Sequence, residues 1–170
     1  DSIRIYASSN GTLSGTADPE TTSTMFDLRE VNNNYVATYF PDVSVLDSGD
    51  DSDAAQFNPR LVHVPSSVVA LGALAKTDNM TGSAQWFAPA GFSRGSLNSV
   101  KGVDSRLSAS DRDVLYESRI NPIASFPNKQ FVIFGQKTTQ VARTALDRVN
   151  VRRLMINIKR RIQKIAQTLL

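Results

Sequence analysis

The sequence predicts an α/β (α+β) fold, a small mixed β-sheet flanked by helices. Runs of aromatic and β-branched residues at Tyr35–Phe40 and Gln130–Phe134 have the composition of strands. Segments near 66–78, 109–118 and 150–169 instead repeat apolar residues at three- and four-residue steps, the period of a helix face. The two kinds of segment are interspersed, and no internal repeat is visible.

Taken in order, Ile3, Ile5 and Tyr6 suggest a short strand. Residues 7–24 are almost all small and polar and read as a loop or linker, and Met25–Val31 is a weak strand candidate. Tyr35–Phe40 is a strand interrupted by Pro41 and continued at 43–46. The acidic turn Asp47–Asp53 lacks the glycine and glutamate of a calcium loop and reads as solvated. Pro65–Ser67 opens a helix whose inner stripe is read as Val68, Leu71 and Leu74 or Ala75, ending near Asp78–Asn79. Residues 82–104, with four glycines, read as an irregular crossing pinned to the core by Trp86 and Phe87.

Ser108–Asp111 resembles a capping box before a short helix, which Asn121–Pro122 stops. Ile123–Phe126 and Gln130–Phe134 are strands joined at 127–129. The second is nearly all apolar, hence central and covered on both faces. Asn150 is read as the cap of the last helix. Its stripe, Val151, Leu154, Met155, Ile158, Ile162, Ile165, Ala166 and Leu169, is read as the buried spine of the fold. On that reading Leu154→Asp abolishes folding.

The 170 residues allow one domain, or one domain with a piece of another. The chain opens at Asp1, and a basic region followed by an apolar run is missing, so it reads as an excerpt or processed product without a signal peptide. The strongest apolar stretch, Val68–Ala75, is far shorter than the roughly 20 residues of a membrane helix, and no membrane insertion is expected. Cysteine is absent and His63 is the single histidine, which argues against thiolate chemistry, disulfides and zinc, and no cofactor is implied. The net charge of +3 is uneven. Arg152, Arg153, Lys159, Arg160, Arg161 and Lys164 lie in one segment without an acid, leaving 13 basic against 16 acidic residues elsewhere.

Three features invite a chemical reading. Gly91-Phe92-Ser93-Arg94-Gly95 matches the G-x-S-x-G elbow of hydrolases. That motif needs a strand before it and a helix after it, and its histidine must follow the serine, whereas His63 precedes Ser93. No catalytic residue is therefore assigned. His63 lies in an apolar segment at the edge of a helix start and reads as a packed or hydrogen-bonded structural residue. The basic face of the last helix is open to three readings: a solvated face, a surface for an acidic neighbour, or a nucleic-acid site. The helix lacks aromatic residues for stacking, so direct nucleic-acid binding is the weakest of these.

From about Tyr35 to Leu170 the chain resembles the C-terminal region of the tail sheath proteins of contractile phages, including the large T4-like group. The likeness rests on segments in the family's order: Val64-Pro65-Ser66-Ser67, Ala75-Lys76-Thr77-Asp78, Trp86-Phe87-Ala88-Pro89-Ala90-Gly91, Leu107-Ser108 through Leu115-Tyr116, Ile120-Asn121-Pro122-Ile123, Phe131 through Thr138, and Arg148-Val149-Asn150-Val151-Arg152-Arg153-Leu154. The resemblance implies a structural, non-enzymatic subunit of stacked hexameric rings around an inner tube, whose contraction drives the tube through the host envelope. It implies as partners copies of itself, the tail tube protein, and baseplate and terminator proteins. The setting it implies is the virion tail, assembled in the host cytoplasm; a related injection machine is the alternative. It divides the chain into 1–34, the end of a preceding variable domain or a linker, and 35–170, the sheath unit without its C-terminal arm. The six basic residues above are then expected at a subunit or tube interface.

Overall fold

The computed structural model describes residues 31–47, 60–82, 84, 86–127 and 131–169. The expected strand at Ile3–Tyr6, the linker 7–24, the Met25–Val31 strand apart from its last residue, the acidic turn beyond Asp47 and the junction at 128–129 lie outside these residues. The elements are β1 (Thr38–Phe40), β2 (Val43–Asp47), β3 (Arg60–Val64), α1 (Ser66–Met80), α2 (Gly91–Arg94), β4 (Ser96–Leu97), β5 (Val100–Val103), α3 (Ala109–Glu117), β6 (Ile120–Ser125), β7 (Phe131–Ile133), a 3-10 turn at Ala145–Asp147, and α4 (Val149–Leu169).

The α+β class is as expected, but two sheets form in place of one. A mixed sheet runs β1-β6-β7-β4, with β1 parallel to β6 and the other pairs antiparallel. An antiparallel sheet runs β3-β2-β5. Pro41 explains the split: it has no N–H for a continuous ladder, so β2 leaves the sheet that β1 joins. In β7, Val132 and Ile133 are both buried between β6 and β4, as the apolar run predicts. Strands β3, β4 and β5 and helix α2 were not legible, because each is short and interleaved with polar residues or glycine.

Helix α1 joins the sheets through one core that includes Tyr39, Val43, Ala70, Leu97, Ile123 and Ile133. Its inner face is Ser66, Val69, Ala70, Ala73 and Thr77, whereas Val68 and Leu71 face outward, each 53% exposed. This corrects the expected stripe. Residues 68–75 are apolar on most sides, so spacing alone does not select a face; small side chains let the helix approach the sheets closely. The opening turn of α1 is satisfied from outside, with Ser66 N–H donating to Asp42 Oδ1 and Ser66 Oγ donating to the Tyr39 carbonyl.

Helix α3 begins with the expected capping box. Ser108 Oγ accepts from the Asp111 N–H at 3.2 Å, and the Ser108 N–H donates to Asp111 Oδ2 at 2.9 Å. These bonds hold the Asp111 carboxyl below the usual aspartate range, so their contribution is present above the ordinary pKa and is lost as pH falls through the lowered one. Ser108→Ala is expected to lower stability by about 1 kcal/mol, measured by denaturant unfolding. Beyond α3, Arg119 takes a left-handed φ of 70° and β6 starts at Ile120, earlier than expected, with Pro122 inside it.

Candidate assembly surface

Among the described residues, the contacts that hold the last helix lie at its base. The Val149 N–H donates to the Gln136 carbonyl at 2.9 Å, and Asn150 Nδ2 donates to the Trp86 carbonyl at 3.1 Å, so Asn150 ties the helix to a loop and does not cap it. Arg153 donates to both oxygens of Asp78, at 3.0 and 2.5 Å. The Arg152 guanidinium lies 3.3 Å from the centre of the Tyr35 ring. Just before the helix, Asp147 sits between Arg119 and Arg148, at 3.1 and 3.2 Å, and Arg148 also bonds Tyr116 Oη. These charge-assisted bonds make the base rigid.

Beyond Asn157 the helix leaves the body. Every described side chain from Ile158 to Leu169 is exposed, including Ile162 at 61% and Ile165 at 60%, while Leu154 and Met155 are only half-buried. The stripe is therefore not the spine of this chain's core, and Leu154→Asp is not expected to abolish folding. A hydrophobic period shows that a helix has an apolar face; it does not show which molecule covers it. This outer half has little tertiary support, and isolated helices shorter than roughly 12–15 residues are marginal in water. Covering Ile158, Ile162, Ile165 and Leu169 would add about 4 kcal/mol of apolar burial, which marks the face as one built to meet another surface.

The six basic residues divide into two sets. Arg152 and Arg153 are engaged at the base. Lys159, Arg160, Arg161 and Lys164 are exposed and form no ion pair among the described residues. Between α1, α4 and the segment 33–39 runs an open groove of about 1050 Å³. Leu71, Leu74 and Ile156 line its walls, and Lys159 and Arg160 its rim. Arg152 and Thr138 also line it, and their Nε and Oγ1 atoms are buried without a hydrogen-bond partner. Burial lowers the Arg152 pKa from its ordinary value. Sequence reading found the basic segment but missed this groove, because neither Tyr35 nor Asp78 announces an arginine partner.

The other singled-out residues fall elsewhere. Ser93 is exposed within the four-residue helix α2; no strand leads into that helix, and no hydrogen bond joins Ser93 to a base among the described residues. His63 lies on β3 instead of at a helix start, its side chain 70% exposed and Nδ1 3.3 Å from Asp104 Oδ1. Trp86 and Phe87 do not pin a loop to the core: both are exposed, stacked on each other at 6.2 Å, with Arg94 over Phe87. Among the described residues no group of His, Asp or Glu side chains is placed to hold a metal ion, and no helix is long and apolar enough to cross a membrane.

No protein-family model matches the chain. It is 35% identical over 137 residues to the tail sheath protein of Vibrio phage KVP40, and 31% identical over 131 residues to that of Enterobacteria phage T4. These matches cover 81% and 77% of this chain, which spans about a fifth of the length of the curated relatives it matches (20% and 19%). Among solved structures, the contracted helical sheath of the anti-feeding prophage superposes with a TM-score of 0.67 at 26% identity, over 99% of this chain and 39% of that one. A chain of the anti-feeding prophage baseplate superposes with a TM-score of 0.66 at 27% identity, over 82% of this chain and 33% of that one. With a rigid base, a projecting amphipathic helix and these relatives, the chain is, over four-fifths of its length, a homologue of the tail sheath proteins of contractile phages.

Proposed function

We propose that the chain is part of a contractile tail sheath subunit that polymerises as stacked hexameric rings around an inner tube and contracts to drive that tube through the host envelope. The observation that carries this reading is the outer half of α4, an apolar face flanked by Lys159, Arg160, Arg161 and Lys164 and left uncovered by the described residues. A helix of this kind is a docking element, and its relatives are sheath proteins. We assign its partners as other copies, the tube protein, and baseplate and terminator proteins, in a virion tail built in the host cytoplasm. Contraction is then release from a metastable packing, with no nucleotide consumed.

The solved relatives include the sheath and baseplate of the anti-feeding prophage, which favours a related injection machine as the second setting for the same mechanics. We read the protein as non-enzymatic, in line with the sheath proteins it resembles. We also propose that the sheath unit covers 35–170, with Asn32 and Asn33 tied to its body. Asn32 Oδ1 accepts from the Val141 N–H, and Asn33 exchanges two bonds with Thr139, which ties these residues to the body.

Electron microscopy of the purified protein tests the reading. Hollow tubes of stacked rings are expected, and Arg160→Glu with Arg161→Glu is expected to prevent them. Particles that stay monomeric under all conditions, labelling of Ser93 by an acyl-phosphonate, or duplex DNA binding that falls steeply with salt would each contradict it.

A further inference from the structure

Arg152 is 9% exposed, yet among the described residues no carboxylate forms an ion pair with it. A buried charge without a counter-ion destabilises the isolated fold, and the stack on Tyr35 offsets only part of that loss. Arg152 and Thr138 both line the groove between α1 and α4, and Arg152 Nε and Thr138 Oγ1 are buried with no hydrogen-bond partner among the described residues. Apolar walls and the Lys159–Arg160 rim define the missing piece: a carboxylate carried beside an apolar side chain. The walls favour a polypeptide over a phosphate backbone, which would leave Leu71 and Ile156 uncovered.

The same chain presents that chemistry. On the outer face of α3, Asp113 and Glu117 are exposed one turn apart, with Val114 between them 59% exposed. Neither carboxylate forms an ion pair among the described residues. We propose that the groove receives the outer face of α3 from a second copy, with a carboxylate of Asp113 or Glu117 on Arg152 and the other facing Lys159 and Arg160. The contact is heterologous, groove to helix, so it leaves a free groove and a free helix at each step and propagates through rings or a helical array. This inference rests on the reading of the chain as an assembling subunit and names the contact that joins the copies.

The test uses the purified protein and two measurements, the melting temperature of the unassembled subunit and the threshold concentration for assembly. Arg152→Met keeps the bulk over Tyr35 and removes the charge. It is expected to leave the melting temperature unchanged or raised while raising the threshold about tenfold or more. Asp113→Lys with Glu117→Lys is expected to block assembly, and adding Arg152→Glu, Lys159→Glu and Arg160→Glu is expected to restore it. An Arg152→Met protein that assembles like the unaltered one overturns the proposal. So does one that loses assembly only in step with its melting temperature, which is the signature of a purely structural arginine. Failure of the charge exchange to restore assembly also overturns it, as does salt-sensitive DNA binding that Arg152→Met abolishes. If the unaltered protein never assembles, the sheath reading itself fails; if it assembles and the variants behave as it does, only this contact fails.

Discussion

Asn121→Leu is expected to lower the stability of the fold by roughly 3 to 6 kcal/mol, a large share of the 5–15 kcal/mol typical of a domain. Asn121 is fully buried on β6, beside β1. Its Nδ2 donates to the Thr38 and Lys137 carbonyls at 3.0 and 2.8 Å, and its Oδ1 accepts from the Lys137 N–H at 2.7 Å. Leucine keeps the γ-branch but is bulkier, and it satisfies none of the three backbone groups, which then lose this partner inside the fold. The neighbourhood has no room to adjust: a Cβ on Gly135 would stand 2.8 Å from Asn121 Oδ1 and from the Tyr116 ring. The effect passes from packing to function, because residue 137 leads into the polar cluster that holds the base of α4. Urea unfolding of the purified variant checks the value; a loss below about 1 kcal/mol would remove Asn121 from its role as the bolt between sheet and helix base.

The second large effect falls on assembly. Ile162→Asp combined with Ile165→Asp is expected to leave the melting temperature of the unassembled subunit unchanged, because both side chains already face solvent. Assembly is expected to fail. Only the exposed part of the two isoleucines remains to be buried, so losing them removes about 2 kcal/mol per contact, before the desolvation of two carboxylates is added. That alone weakens each contact about thirtyfold. Sedimentation and electron microscopy check the outcome. A variant that unfolds would return the stripe to this chain's own core, and one that assembles normally would make the stripe idle.

Sequence legibility followed the range of the interactions. The capping box at Ser108 and the helix start at Pro65 were readable, since both are local backbone chemistry. The central position of β7 was readable because an unbroken apolar run has few other places to go. The inward face of α1 was not, because Val68 and Val69 are equally apolar and the sheets decide between them. The amphipathic character of α4 was plain, and its role was misread for a physical reason. A stripe of isoleucines is the same signal whether its cover is intramolecular or another subunit. The division of the basic segment, two arginines anchored and four cations free, depends on Tyr35 and Asp78, far away in the chain.

Ile158–Leu169 is a helix waiting for another polypeptide, and amide hydrogen exchange across that segment reads this out. In the unassembled subunit these amides are expected to exchange rapidly while those of β6 and β7 stay protected, and on assembly the segment is expected to become strongly protected. Strong protection of the segment before assembly, or rapid exchange that persists after it, would contradict the account.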